Sequence, residues 1–210
     1  MLRVHEIFNS IQGEGSKQGQ QMTFVRLYGC NRTCSFCDQP QGDYIELAEE
    51  QIVEKCTLEK VCITGGEPLL QDIYLLCELL DQEGKFISLE TNGDFNTLAK
   101  WGYDNKGMRH FRRVQTSHVA CSPKVKKLSE LKLDPDYIDD LKILVTTQTT
   151  PNDLMPWEEF AHTYNLTLWL QPENFWTEIN WDNLKHATKL CLDLPMWNLS
   201  PQLHKLLGVR

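Results

Sequence analysis

Three cysteines, Cys30, Cys34 and Cys37, stand as Cys-x3-Cys-x2-Cys in the segment Gly29-Cys30-Asn31-Arg32-Thr33-Cys34-Ser35-Phe36-Cys37-Asp38. Thiolates this close in the chain can converge on one centre. Two chemistries compete for them. Structural zinc takes four protein ligands, usually as two separate pairs, and no second Cys-x2-Cys or His pair follows. An iron–sulfur cluster normally takes four thiolates, so three leave one iron open to a ligand that is not protein. The cluster suits the spacing better; zinc or incidental spacing is the alternative. The remaining cysteines, Cys56, Cys62, Cys77, Cys121 and Cys191, fall in or beside apolar patterns. Free Cys is an ordinary core filler there.

Other residue types point to a ligand. Gly65-Gly66-Glu67-Pro68 follows an apolar run. Missing side chains let a backbone approach a ligand closely, although Pro68 also suits a plain turn into a helix. In Ile11-Gln12-Gly13-Glu14-Gly15, two glycines flank a carboxylate, as in a loop folded over a ligand or a simple surface loop. Arg26 interrupts Phe24-Val25-Arg26-Leu27. A charge in such a run needs a partner or a cavity, and a guanidinium is a natural clamp for a ligand carboxylate. Snorkelling from an edge strand is the competing explanation. His204 stands equally well as a ligand contact or a structural group. The run Lys124–Lys127 suits a solvated face, Lys124 itself excepted.

The elements that must carry these residues alternate. Strands are expected at Thr23–Tyr28, Val61–Thr64, Phe86–Glu90, His118–Cys121, Leu141–Val145 and Leu166–Leu170. Such short apolar runs fit strands buried on both faces of a parallel sheet. Helices are expected at Ala48–Cys56, Asp72–Leu80, Trp157–Tyr164 and Asn183–Leu192. Six strands are too few for an eight-fold barrel, which leaves a partial barrel or an open doubly wound sheet. The polar clusters Gly65–Pro68, Thr91-Asn92-Gly93, Ser122-Pro123-Lys124 and Gln171-Pro172-Glu173 each follow a strand. Carboxyl ends of strands carry the ligand site in α/β folds, so a shared pocket is expected.

Composition narrows the classes. A chain of 210 residues with no repeat or linker reads as one domain, 1–210. A net charge of -8, from 21 Lys+Arg against 29 Asp+Glu, argues against a nucleic-acid coat. Eight cysteines fall well short of a disulfide scaffold. The first ten residues lack the apolar run of a signal peptide and no stretch suits a membrane span. A reducing, cytoplasmic setting is expected.

The ordered set of motifs resembles one radical S-adenosylmethionine family, the 7-carboxy-7-deazaguanine synthases. It runs from Glu6-Ile7-Phe8 and Ile11–Gly15, through Phe24–Leu27 and the cysteine loop with Phe36 and Asp38, to Thr64–Pro68, Leu89–Gly93 and Ser122–Lys124. Weaker echoes continue through Gln171-Pro172 to Gln202-x-His204-Lys205. The resemblance implies an α/β fold, a partial (βα)6 radical SAM barrel with reduced helices, usually a homodimer. It implies conversion of 6-carboxy-5,6,7,8-tetrahydropterin to 7-carboxy-7-deazaguanine with loss of ammonia, an early step towards queuosine. A 4Fe-4S cluster on Cys30, Cys34 and Cys37 would cleave S-adenosylmethionine to a 5′-deoxyadenosyl radical, with an electron from a donor such as flavodoxin or ferredoxin. By position, Phe36, Cys37, Asp38, Gly65, Gly66, Glu67, Gly93, Ser122, Pro123 and Lys124 would line S-adenosylmethionine. Ile11, Gln12, Gly13, Glu14, Arg26, Thr91 and His204 would hold the pterin. The family's Mg²⁺ is commonly met by a Thr where this chain has Gln39; a Gln oxygen is an acceptable hard ligand, but its longer side chain would shift the ion or leave it out. The carboxylate of Arg210 would reach substrate only if this chain follows some relatives. A glycyl-radical activase and a zinc-binding module are the alternative functions.

Overall fold

The computed structural model describes residues 1–37, 42–96, 117–125, 127–175 and 178–209. Among these, nine strands form one sheet: β1 (Leu2–Ile11), β2 (Gln21–Leu27), β3 (Ile45–Leu47), β4 (Lys60–Gly65), β5 (Phe86–Thr91), β6 (His118–Cys121), β7 (Asp140–Val145), β8 (Thr167–Pro172) and β9 (Trp197–Leu199). The helices are α1 (Glu49–Lys55), α2 (Tyr74–Gln82), α3 (Pro151–Tyr164), α4 (Trp181–Asp193) and α5 (Leu203–Leu207).

The sheet order is β3-β1-β2-β4-β5-β6-β7-β8-β9, parallel from β2 onward. From β2 the spatial order follows the chain order, so every crossover advances in one direction. A doubly wound sheet would reverse at a switch point; this sheet never does. It winds as a barrel and stays open between β3 and β9, with β1 and β3 added antiparallel at one edge. The six expected strands are the inner six. The three unexpected ones lie at the margins of the sheet, β3 and β1 on one side and β9 on the other, where partial exposure admits polar residues that blur the pattern.

Alternation along each strand divides the two faces. Val25, Ile63, Leu89 and Leu141 are buried in the main core with Ile52 of α1 and Leu76 and Leu80 of α2. Arg26, Thr64, Glu90 and Lys142 face the interior instead. Met22, Phe24 and Cys62, with Phe8 and Phe86, make a separate apolar floor below them. All four expected helices form. Helix α3 starts six residues before its expected start: Asp153 accepts from Thr150 N at 2.8 Å and Thr150 Oγ1 at 2.7 Å, and this box nucleates it ahead of Pro156. Between β6 and β7 the described residues form only 3₁₀ turns, at Leu128–Glu130 and Pro135–Tyr137. Among the described residues no helix is long and apolar enough to cross a membrane.

Candidate functional site

A cavity of about 540 Å³ opens at the carboxyl ends of the parallel strands. Most of the expected site residues meet there. Cys30, Cys34, Phe36 and Cys37 come from the loop after β2, and Gly65 and Gly66 from the end of β4. Thr91 ends β5, and Ser122 and Lys124 follow β6. Ile11, Gln12, Gly13 and Glu14 fold in from the β1–β2 connection, Arg26 rises from β2, and His204 comes from α5. Asp38, Gln39 and Arg210 lie outside the described residues.

Glu67, Gly93 and Pro123 do not reach the cavity wall. Glu67 is fully buried behind it. Its Oε1 accepts from Leu69 N at 3.0 Å and Thr91 Oγ1 at 2.8 Å, and its Oε2 from Asn92 N at 2.7 Å. Burial raises its pKa, and these donors offset only part of the rise. Gly93 has φ +77°, and its carbonyl accepts from Lys132 N and Leu133 N. It shapes the turn beneath the wall.

The cysteine loop is held from the side. Arg32 grips Asp94 with Nε and with Nη2, the latter 2.6 Å from Oδ1, and donates Nη1 to Lys124 O at 3.0 Å. Asn31 donates to Asp94 at 2.6 Å and accepts from Asn92 Nδ2 at 2.9 Å. The Arg32 fork holds the Asp94 carboxyl below its usual range. Gly66 abuts this loop: a Cβ there would strike Gly29 O and stand 2.8 Å from Cys30 Cβ. The Cys30 thiol is pushed up by burial and by the nearby Glu67 and cysteine charges, with Arg32 N–H opposing.

Across the cavity, one buried network joins strands β4, β5, β7 and β8 to the β1–β2 connection and to the residue before α5. Lys142 Nζ lies 2.6 Å from Glu14 Oε2 and 3.4 Å from Glu90 Oε1. Glu14 Oε1 also accepts from Gln171 Nε2 at 3.1 Å and Gln202 Nε2 at 2.8 Å. Glu90 accepts from Gln12 at 3.2 Å and Thr64 at 2.9 Å. Leu203 N donates to Gly13 O at 2.8 Å, so the C-terminal segment closes over the β1–β2 connection. A Cβ on Gly13 would collide with the His204 ring. Arg26 donates Nε to Glu6 Oε1 at 2.9 Å and lies over Phe8; among the described residues its Nη groups carry no hydrogen bond.

Burial alone would raise the Glu14 carboxyl, but Lys142 and His204 outweigh it and lower the pKa to about 2. A depressed folded pKa gives stability that is complete above the unfolded value and lost as pH falls through the folded one. Wild type is therefore expected to exceed Glu14→Gln in urea midpoint by a constant margin above about pH 5, shrinking towards pH 2. A margin independent of pH would remove the ionised pair from the account.

The donor set fits an iron–sulfur cluster and an amino-acid ligand. Among the described residues, no three His, Cys, Asp or Glu side chains converge on a single-ion site. Three thiols at one rim suit a group that takes one thiolate at each of three iron corners. Lys124, half-buried beside Phe36, donates to Ser122 Oγ at 2.7 Å and pairs with no described carboxylate; it suits a ligand anion. Among the described residues, Gln171 Oε1 is buried at the wall without a partner and can take a ligand donor.

A singly wound open barrel with a three-cysteine loop after its first parallel strand defines the class, and residues 24–141 match the Radical SAM superfamily. The chain is 33% identical to a 7-carboxy-7-deazaguanine synthase of Rickettsia prowazekii, over 99% of this chain and 88% of that one. It is 30% identical to a protein of the same name from Synechocystis, over 99% and 93%. The fold is similar to that of QueE from Escherichia coli, with a TM-score of 0.68 at 21% identity over 94% of this chain and 92% of that one. The chain belongs to the 7-carboxy-7-deazaguanine synthase family of radical S-adenosylmethionine enzymes. Its cofactors are a 4Fe-4S cluster and S-adenosylmethionine.

Sequence reasoning singled out neither Lys142 nor the anchor Arg32–Asp94. Lys142 interrupts Leu141-Lys142-Ile143 as Arg26 interrupts its own run, so the same signal was present. Arg32 and Asp94 carry no local mark; only the fold brings them together.

Proposed function

We propose that this enzyme converts 6-carboxy-5,6,7,8-tetrahydropterin to 7-carboxy-7-deazaguanine with release of ammonia. The observation that carries the reading is a single cavity joining the cysteine loop to Gln12, Glu14, Arg26 and Thr91. When bound, the cluster and S-adenosylmethionine supply one-electron chemistry, removing a hydrogen atom from the pterin and later returning one. Cys30, Cys34 and Cys37 hold the cluster, and Phe36, Gly65, Gly66, Ser122 and Lys124 line the S-adenosylmethionine, with Lys124 facing its carboxylate. Arg26 offers its free Nη edge to the substrate carboxylate. Gln12 and Glu14 receive the amino-pyrimidinone edge, and His204 covers it. Glu67 supports this wall through Thr91 and Asn92. The reading includes one domain, a homodimer, a flavodoxin or ferredoxin as electron donor and a cytoplasmic setting.

Anaerobically reconstituted protein, given a competent reductant, is expected to release the deazapurine and ammonia in equal amounts. No product under those conditions overturns the reading, and a glycyl radical on a protein partner would replace it. Running the assay with and without Mg²⁺ decides whether Gln39 serves the ion.

A further inference from the structure

The structure assigns Lys142 a part in substrate selection: its ammonium ties Glu14 and Glu90 side by side, so that the wall turns a pair of acceptors to the ligand. The inference rests on the pterin reading above.

Lys142 is 2% exposed in the middle of β7, where its register partner is Trp169 of β8. A lysine so placed must be paired, and this one is paired twice, with Glu14 and Glu90. Two carboxylates brought together repel one another unless a cation lies between them. Lys142 supplies that cation, and the two carboxylates hold its pKa above the ordinary value despite burial.

The lone pairs can be counted. An ionised carboxylate has about four acceptor sites and no donor. Glu14 spends three, on Lys142, Gln171 and Gln202. Glu90 also spends three, on Lys142, Gln12 and Thr64. Among the described residues each keeps one site uncommitted, and both side chains are partly open at the cavity, at 14% and 21% exposure. A wall that holds two uncommitted carboxylate acceptors side by side suits adjacent N–H groups. The 2-amino-4-oxo edge of a pterin presents these as its exocyclic amine and ring N–H. A 2,4-dioxo edge puts a carbonyl where the amine would be, oxygen against oxygen. Without the ammonium nothing ties the two carboxylates together, and the paired acceptors that favour the amine edge are lost.

The test is the preference for 6-carboxypterin over 6-carboxylumazine, its 2-oxo counterpart, by fluorescence titration of the full-length, cluster-loaded protein. Wild type is expected to prefer the pterin by at least about tenfold. Lys142→Met is expected to lose most of that preference by weakening the pterin selectively, while Lys142→Arg, which keeps the charge, retains more of it. Should Lys142→Met not fold, Lys142→Gln keeps a donor without the charge and is expected to show the same loss. A neutral variant that keeps the wild-type preference, or that weakens both compounds equally, overturns the inference and leaves the pterin reading standing. A wild type that binds neither compound, and makes no deazapurine in the turnover assay, overturns the reading and the inference together.

Discussion

Cys34→Ala is expected to fold normally, to hold no cluster and to lose turnover by at least about 10³-fold. Cys34 is half-buried at the cavity rim rather than in the core, so losing its thiol removes little packing. Its loop is fixed from other points: Arg32 and Asn31 hold Asp94, and Cys37 N donates to Cys34 O at 3.2 Å. None of these bonds uses the Cys34 sulfur. The loss is therefore one of ligation. Cys77→Ala is the contrasting control. Cys77 is fully buried on α2, and burial pushes its thiol up to about 12, as expected of an inert core group. Its substitution is expected to cost about 1 kcal/mol of stability and to leave iron and sulfide content unchanged. Iron and sulfide per chain, the cluster's visible absorbance and the circular dichroism melt read all three expectations. Full cluster content in Cys34→Ala would return the three cysteines to incidental spacing.

Much of the architecture was legible because the inner strands are buried on both sides. A strand with no solvent face is written in continuous apolar residues, so Val61–Thr64 and Leu141–Val145 stand out, whereas β1 and β9 do not. The winding direction was not legible. It depends on which strands pair, and residue patterns within strands carry no such information. The site shows the same division. Cys30, Cys34 and Cys37 are neighbours in sequence and declare their chemistry by spacing. Lys142, Glu14 and Glu90 meet from three different elements, and only the charge set inside an apolar run hinted that Lys142 has a partner. Arg26, chosen by that hint, lies at the cavity with its Nη edge uncommitted among the described residues.

Glu67 shows where a motif's implied role and its physical role part, and Glu67→Ala is expected to be among the most destabilising single changes in this protein. The motif alone suggests a carboxylate presented to a ligand amine. The buried position makes it a strut instead. Two backbone N–H groups and one hydroxyl converge on it from the 3₁₀ turn after β4 and from the end of β5. Alanine leaves Leu69 N, Asn92 N and Thr91 Oγ1 without their acceptor in a region closed to water. An orphaned buried group costs about 1–3 kcal/mol; with some relaxation, the expected loss is about 3–5 kcal/mol. Glu67→Gln keeps one acceptor oxygen but turns an amide N–H₂ towards a donor, so it should recover only part of that loss. Urea denaturation of the apo protein isolates this effect from any ligand. If Glu67 served only to hold a ligand, apo Glu67→Ala would unfold at the wild-type midpoint and differ only in binding. If it is the strut, the midpoint falls first, and cofactor binding falls with it because Thr91 and Asn92 lose the group that fixes their wall.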